Sequence, residues 1–227
     1  MSPQDIQEGA FVFYQAYSFF PRDTIHIAVV DPGVGTKRRP ILIEAYWYTF
    51  IGPDNGIFSL ALKLKRERIK RAIHLTNRGY FLTEEISTTF HGRDIFAPVA
   101  AHLSLGIDPS MMGRRIKTIK RPSWGRPIIK KGEVHGRVIH IDRFGNLIPY
   151  LDTRLNSRHS RVRPFEIRIG GITINRLFPT YGYARKGEII ALIGSSGLLE
   201  VAQREGNATE ILNLKNGAPV TILKTKN

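Results

Sequence analysis

Residues 29–40 have the sequence Val-Val-Asp-Pro-Gly-Val-Gly-Thr-Lys-Arg-Arg-Pro. An apolar, β-branched run at residues 25–30 stops at Asp31, and a Pro-Gly turn, a second glycine and a basic cluster follow it. In an α/β sheet, ligands bind at the carboxyl ends of the strands. A carboxylate at that position, beside a glycine-rich loop that returns arginines to it, predicts a functional site. A tight turn with a solvated acid is the alternative, because Asp-Pro-Gly often marks only a turn.

Strand, turn and helix patterns alternate through the N-terminal half of the chain. Apolar residues recur at helical spacing after Ser2 and Pro3, which predicts a helix with Ser2 as its N-cap. The patterns also predict strands at residues 25–30, 41–45 and 69–75, and helices at residues 57–64 and 93–105. This order favours βαβ units. We therefore expect an α/β N-terminal domain over residues 1–112, with a mainly parallel sheet and flanking helices.

The composition changes after residue 107. Prolines and basic clusters predict a linker over residues 113–131. From residue 132 onward the pattern becomes one of short strands and tight turns, with strands predicted at residues 134–141, 165–169, 172–174, 188–193 and 220–223. This pattern is typical of an all-β module. We expect a barrel-like C-terminal domain over residues 132–227.

The composition excludes several kinds of site. The 227 residues include no cysteine, so disulfides, thiolate metal sites and cysteine nucleophiles are excluded. The seven histidines lack the close spacing of a zinc site, and we expect no metal. No apolar run reaches the roughly 18 residues that a membrane-spanning helix needs. The N-terminus lacks the basic and apolar regions of a signal peptide, so we expect a cytoplasmic protein without membrane contacts.

The chain is strongly basic, with a formal net charge of +15 from 34 basic and 19 acidic side chains. Such an excess attracts nucleic acid and other polyanions. The basic residues are spread along the chain, however, and the two densest runs, at residues 63–71 and 154–168, lack the regular aromatic residues of a base-stacking surface. A solvated basic surface is therefore favoured over a dedicated nucleic-acid function.

Three other clusters combine polar side chains with turn residues. They are His-Gly-Arg-Asp at residues 91–94, Asp-Arg-Phe-Gly-Asn at 142–146, and Gly-Ser-Ser-Gly-Leu-Leu-Glu at 194–200, with Gly-Asn-Ala following at 206–208. Each has a structural alternative: a helix cap for His91, a hairpin turn for the second cluster, and loops for the others. The Gly-Ser-Ser-Gly turn also resembles a nest of backbone N–H groups that holds a carboxylate. No single cluster identifies a function, but the occurrence of all of them in this order is specific.

Taken together, these motifs resemble the S-adenosyl-L-methionine (SAM) hydroxide adenosyltransferase family. Gly-Pro-Asp-Asn-Gly at residues 52–56 and Thr-Phe-His-Gly-Arg-Asp-Ile-Phe-Ala-Pro at 89–98 belong to the same resemblance, which spans essentially the whole chain. The family hydrolyses SAM to adenosine and methionine and is related to fluorinating and chlorinating enzymes. The resemblance implies an N-terminal α/β domain, a C-terminal barrel-like domain, SAM as the substrate and no cofactor.

The resemblance implies a catalytic set of Asp31, Arg38 and His91. The sulfonium of SAM is already a good leaving group, so the demanding part of the reaction is to place an oxygen nucleophile in line with C5′ and the sulfur. Asp31 would stay ionised beside Arg38 and orient a water molecule. Arg38 and His91 would hold that water. The sequence leaves open which of the three accepts the proton.

The resemblance also implies substrate contacts in the C-terminal domain. Asp142 would meet the ammonium of the substrate and Asn146 the edge of the adenine. Ser195 and Ser196 would hold the methionine carboxylate, and the backbone near Ala208 would contact the adenine. Glu200 belongs to the same substrate-binding set.

The resemblance further implies a homotrimer, with each site between the N-terminal domain of one subunit and the C-terminal domain of its neighbour. Family members begin with a strand bearing a Thr-Asp-Phe-Gly motif, whose aspartate binds the ribose hydroxyls, and this chain begins beyond that point. Two interpretations follow: a start assigned too far downstream, or a chain that binds SAM or adenosine without turnover. A SAM-dependent halogenase is a further alternative, disfavoured because halogenases replace the Asp31, Arg38 and His91 set with a halide pocket.

Overall fold

The chain forms two compact units, Met1–Pro122 and Ser123–Asn227. A computed structural model describes residues 2–65, 67–122, 124, 127–130, 133–151 and 165–224. Most of the basic run at residues 154–168 therefore lies outside the described residues. Within these ranges, no helix combines the length and the apolar character that crossing a membrane requires.

A five-stranded sheet with the order β1-β3-β2-β4-β5 forms the centre of the first unit. Its strands are β1 (Ile25–Ile27), β2 (Pro40–Ala45), β3 (Thr49–Pro53), β4 (Ile69–Leu75) and β5 (Gly113–Ile116). Among the described strands only the β1–β3 pair is parallel, and the other three pairs are antiparallel. The sheet is therefore mixed, and the expectation of a mainly parallel sheet holds for one pair alone. The physical reason is the tight turn at residues 46–48, which is too short for a crossover and makes β2 and β3 an antiparallel hairpin.

Helices cover both faces of this sheet, as the α/β pattern predicted. They are α1 (Ile6–Ala16), α2 (Ser59–Leu64) and α3 (Ala97–Ser104). Side chains alternate along β2, so that Ile41 and Ile43 pack in the cluster that includes α2, whereas Leu42 packs in the cluster that includes α3. Asp5, and not Ser2, caps α1, since its carboxylate accepts the Glu8 N–H at 2.9 Å.

The second unit contains an eight-stranded sheet in which every described strand pair is antiparallel. Its strands are β6 (Ile128–Lys130), β7 (Glu133–Ile141), β8 (Leu147–Tyr150), β9 (Phe165–Ile169), β10 (Ile172–Ile174), β11 (Ile189–Ile193), β12 (Leu199–Gln203) and β13 (Pro219–Lys224). A bridge between Leu177 and Ala191 returns the chain after β10 to β11, so the sheet nearly closes. The expected all-β, barrel-like architecture is confirmed.

The core of the second unit lies inside this curved sheet. Alternate residues such as Val138, Ile167 and Val220 point inward and are almost fully buried. One short helix, α4 (Ala208–Leu212), packs on the same core through Ala208. Strands β6, β8 and β12 were not predicted, and the stretch predicted as a linker, residues 113–131, contains β5 and β6.

Candidate active site

The loop that carries Asp31 and Arg38 leaves the sheet earlier than predicted. Strand β1 ends at Ile27, and residues 28–30 follow it outside the strand. The Ala28 N–H donates to the Ile51 carbonyl at 3.1 Å, and the side-chain amide of Asn55 donates to the Val30 carbonyl at 2.7 Å. Asn55 thus fixes the backbone immediately before Asp31.

The Gly-Pro-Asp-Asn-Gly motif also holds the far end of this loop. Asp54 is buried, forms an ion pair with Arg39 and accepts the Lys120 N–H at 2.7 Å. The Asp54 N–H donates in turn to the Arg39 carbonyl at 2.9 Å. The motif at residues 52–56 therefore anchors the backbone on both sides of residues 31–38, and this is a positioning role.

Gly35 lets a second segment approach the loop. It has a φ of +75°, and a Cβ at this position would collide with the carbonyl of Thr88. Thr88 precedes His91 by three residues. This close backbone contact joins two segments that lie more than 50 residues apart in the sequence.

His91 lies at the first turn of the helical segment that leads into α3. Residues Gly92–Phe96 form a π-helical turn there, so the helix predicted over residues 93–105 begins earlier and with wider geometry. Such π turns occur often at functional sites. The His91 side chain makes no capping hydrogen bond, so the structure does not support the alternative in which it caps the helix.

The structure brings Asp31, Arg38 and His91 into one cluster. The Arg38 Nε donates to Asp31 Oδ1 at 3.0 Å, and its Nη2 forms an ion pair with Asp31 Oδ2. The same Nη2 lies 2.9 Å from Nδ1 of His91. The side chains of Arg38 and Asp31 are only 4% and 5% exposed. Bidentate, charge-assisted pairing of this kind fixes the position of both groups.

This geometry determines the protonation of His91. A guanidinium has only donors, so Nδ1 must accept, and the proton of the neutral imidazole lies on Nε2. Burial lowers the pKa of His91 from its usual value of 6.5, and the charge of Arg38 lowers it further, while Asp31 and Asp94 act in the opposite direction. A neutral His91 with an Nε2–H donor is therefore the form at pH 7.

Arg38 also has a buried hydrogen-bond donor that no described residue satisfies. Its Nη1 is buried and has no hydrogen-bond partner among the described residues, and its guanidinium lies 5.7 Å from the centre of the Phe96 ring. A buried donor without an acceptor costs on the order of 1–3 kcal/mol. An acceptor oxygen that reached Nη1 would remove this cost.

In the second unit, Asp142 and Asn146 belong to one turn between β7 and β8. Asp142 Oδ1 accepts the N–H groups of Phe144 and Asn146, and its Oδ2 accepts from the Asn146 side chain, each at 2.9 Å. The Gly145 carbonyl accepts the Thr209 N–H at 3.2 Å, which brings the start of α4, with the buried Ala208, next to this turn. The structure thus groups three of the residues predicted to bind substrate.

Glu200 lies in β12 and is 8% exposed. It accepts a hydrogen bond from the Tyr181 hydroxyl, and its Oε2 lies so close to Gly194 that a Cβ there would collide with it. Burial raises the pKa of Glu200, the charge of Asp142 raises it further, and the Tyr181 hydrogen bond lowers it. Burial raises the pKa of Tyr181, and Glu200 and then Asp142 raise it further. Sequence patterns missed Tyr181, which no motif marks.

Ser195 and Ser196 lie in the turn that joins β11 to β12. Ser195 is exposed, and Ser196 Oγ accepts the Leu198 N–H at 3.3 Å. The Gly194 N–H donates to the Leu198 carbonyl and the Gly197 N–H to the Gly194 carbonyl. These bonds close the turn, and Ser195 at its tip is exposed to solvent. Across the ranges that the structure describes, no group of three or more His, Asp or Glu side chains is arranged to hold a metal ion.

Comparison with known proteins gives the same relationship for both halves of the chain. Residues 1–113 match the SAM hydroxide adenosyltransferase N-terminal domain and residues 136–221 the SAM hydroxide adenosyltransferase C-terminal domain. The (R)-S-adenosyl-L-methionine hydrolase of Thermus thermophilus is 37% identical over 98% of this chain and 85% of its own length. The protein of the same name from Salinispora tropica is 35% identical over 95% of this chain and 80% of its own length.

A solved structure agrees with these matches. The crystal structure of an uncharacterized conserved protein from Thermotoga maritima superposes with a TM-score of 0.86 at 30% identity, over 99% of this chain and 86% of that chain. Two domain matches that together span most of the sequence, and relatives above 30% identity, agree with the motifs at residues 29–40 and 89–98. The chain belongs to the SAM hydroxide adenosyltransferase family.

Proposed function

We propose that this protein hydrolyses SAM to adenosine and L-methionine. The observation that carries the proposal is the buried cluster in which Arg38 binds both Asp31 and His91. The hydrolase names of the relatives at 37% and 35% identity support the same activity. SAM is the substrate, and the proposed reaction uses no cofactor.

The reaction is an in-line displacement at C5′ of the substrate. A water oxygen forms a bond to C5′ while the C5′–S bond breaks. The electron pair of the C5′–S bond stays on sulfur and neutralises the sulfonium. The products are methionine, adenosine with the water oxygen as its 5′-hydroxyl, and one proton. Because the leaving group is already activated, most of the catalysis would come from positioning the water and accepting its proton.

Asp31 is the proposed acceptor of that proton. Each of its oxygens accepts one bond from Arg38, and a carboxylate has about four acceptor positions, so lone pairs remain for a water. His91 is a poor acceptor in this state, since Arg38 occupies Nδ1 and Nε2 carries hydrogen. His91 would instead donate from Nε2 to the water oxygen, and Arg38 would fix the geometry of both neighbours.

The second unit would bind the parts of the substrate that do not react. Asp142 would meet the ammonium of SAM, and Asn146 and the backbone at Ala208 would meet the adenine. Ser195 and Ser196 would hold the carboxylate, with Glu200 beside them. The clustering of Asp142, Asn146 and Ala208 around one turn supports these roles.

We propose that the active form is a homotrimer in which the Asp31 cluster of one subunit meets the Asp142 cluster of the next. The family relationship supports this arrangement, and a mixing experiment tests it. Asp31→Asn and Asp142→Ala chains are each expected to be inactive, but mixed oligomers would contain an intact site formed by the two unmutated halves. Recovered activity on mixing, with a trimeric mass by light scattering, is the expected result. No recovery after subunit exchange would contradict a shared site.

The activity itself is tested by incubation with SAM in water enriched in ¹⁸O. Chromatography and mass spectrometry should show equal amounts of methionine and adenosine, with the label in the 5′-hydroxyl of adenosine. A halogenated adenosine that forms only with added halide would overturn the proposal in favour of a halogenase. If neither product forms but SAM raises the Tm, the protein is a binding protein and the proposal is wrong.

A further inference from the structure

Asp94 is the most buried acid of the first unit, with 1% of its surface exposed. Its carboxylate accepts the Ser87 N–H at 2.8 Å on Oδ2 and the Arg93 Nε at 2.6 Å on Oδ1. Its own carbonyl accepts the Leu82 N–H at 2.9 Å. One residue therefore ties the whole segment of residues 82–90 to the π-helical turn that begins next to His91.

The same segment contacts the loop that carries the other two members of the cluster. Ser87 is followed by Thr88, whose carbonyl packs against Gly35 so closely that no side chain fits there. From Gly35 the loop continues through Thr36, whose Oγ1 accepts the Arg38 N–H at 3.3 Å. A continuous set of contacts thus runs from Asp94 to Arg38, in which side-chain oxygens of Asp94 and Thr36 accept backbone N–H groups.

We propose that Asp94 is a positioning residue that sets the distance between Arg38 and His91 by holding the Ser87–Thr88 backbone against Gly35. This inference rests on the proposed function for its effect on catalysis. Asp94 forms no hydrogen bond or ion pair with Arg38 among the described residues and acts through the backbone on either side of the cluster. Because the Asp94 side chain is short, it fixes how close the loop that carries Arg38 lies to the turn that carries His91.

Two variants separate position from charge. Asp94→Glu keeps the charge and adds one methylene, which displaces the Ser87 amide. Asp94→Asn keeps the length but loses the charge and places an amide donor against Arg93. We expect both to lower kcat on the order of 10- to 100-fold, since small misplacements of reacting groups cost rates of this size, with KM within about twofold of the unmutated value. Arg93→Lys is the matched control, because it keeps a cation beside the buried Asp94 carboxylate and leaves the Ser87 contact intact; kcat should change less than about threefold.

A second readout does not depend on turnover. Ring ¹⁵N NMR of His91 reports whether Nδ1 accepts a hydrogen bond and where the ring titrates. The charged groups that face His91 are Arg38, Asp31 and Asp94. Both Asp94 variants should shift the Nδ1 resonance toward that of a free acceptor, and only Asp94→Asn should also lower the pKa of His91, because Asp94 raises it.

The outcomes distinguish the two proposals. If the unmutated protein makes no adenosine, the proposed function fails, while the NMR comparison still tests Asp94. An unchanged Nδ1 resonance in both variants, or a kcat within twofold of the unmutated protein in both, would overturn the positioning role. A rise in KM with kcat unchanged would also overturn it, because Asp94 would then serve binding.

Discussion

Nη2 of Arg38 lies 2.9 Å from Nδ1 of His91, and this contact makes the neutral imidazole a donor through Nε2. The same Nη2 forms an ion pair with Asp31, so one nitrogen links the proposed proton acceptor, Asp31, to the residue that would donate a hydrogen bond to the water, His91. The cluster is therefore asymmetric. Asp31 has acceptor positions to spare, whereas the free nitrogen of His91 already carries hydrogen.

Asp31→Asn should reduce kcat on the order of 10²- to 10⁴-fold, the range by which a positioned base contributes to rate. The amide keeps the shape of the side chain but accepts no proton, so SAM binding should change little. Adenosine formation measures the rate, and calorimetric titration with SAM measures the affinity. The matched control is Asp23→Asn, an exposed acid in the same unit at a backbone position with φ of +66° that asparagine tolerates. An unchanged rate in Asp31→Asn would remove Asp31 from the mechanism.

The acid limb of the kcat/KM profile should have its midpoint below pH 6.5. In the proposed mechanism the neutral form of His91 is the active one, and burial together with Arg38 lowers the pKa of His91 in the folded protein. Activity should therefore persist to lower pH than an ordinary histidine allows, and protonation should remove it. His74→Gln is the control, because burial also lowers the pKa of His74 but it lies outside the cluster. A midpoint at or above 6.5 would contradict this assignment.

The same shift makes folding stability depend on pH with a defined sign. Between the folded pKa of His91 and 6.5 the unfolded chain binds more protons, so the free energy of unfolding rises with pH in this window. The contribution of His91 is complete above about pH 6.5 and is lost as the pH falls through the folded pKa. Denaturant unfolding of the unmutated protein and of His91→Gln across this pH range gives the free energy of unfolding at each pH. The contribution of His91 is the difference between the two slopes of that free energy against pH.

Gly35→Ala should destabilise the first unit more than Gly106→Ala does. Both glycines have positive φ, +75° and +90°, so alanine at either site costs about 1–2 kcal/mol of backbone strain. Only at Gly35 does the new Cβ meet a backbone atom, the Thr88 carbonyl, and Gly106 has open space around it. The Tm values of the two variants measure the difference. Gly35→Ala should also lose activity, and equal Tm losses would show that the loop is free to move away from Thr88.

Glu200→Gln should become more stable relative to the unmutated protein as the pH rises from 4.5 toward 7. Burial raises the pKa of Glu200 above its ordinary value of 4.5, so the folded state keeps a proton that the unfolded state has lost. Stability therefore falls as the pH rises through this window, and a glutamine, which never ionises, escapes that loss while still accepting from Tyr181. Thermal melts at the two ends of the window test this. Glu205→Gln, at an exposed acid of the same unit, is the control.

Local patterns predicted much of the fold. Strands β4, β9 and β10 have the predicted bounds, and the helix predicted to end at residue 105 is followed by Gly106 at φ +90°. Period-2 alternation and a terminal glycine are properties of neighbouring residues, so the sequence alone reports them. The direction of strand pairing is different, because it depends on how β2 and β3 meet across the turn at residues 46–48.

By itself, the sequence determined the family, the candidate residues Asp31, Arg38 and His91, and the two kinds of architecture, because each rests on motifs or periodicity within short stretches. Only the tertiary structure decided the mixed sheet, the protonation of His91 and the partners of Asp54, Asp94 and Glu200. Those properties depend on atoms far apart in the chain: Arg38 and His91 are separated by 53 residues and Tyr181 and Glu200 by 19. Their hydrogen bonds and burial exist only once the backbone has brought them together.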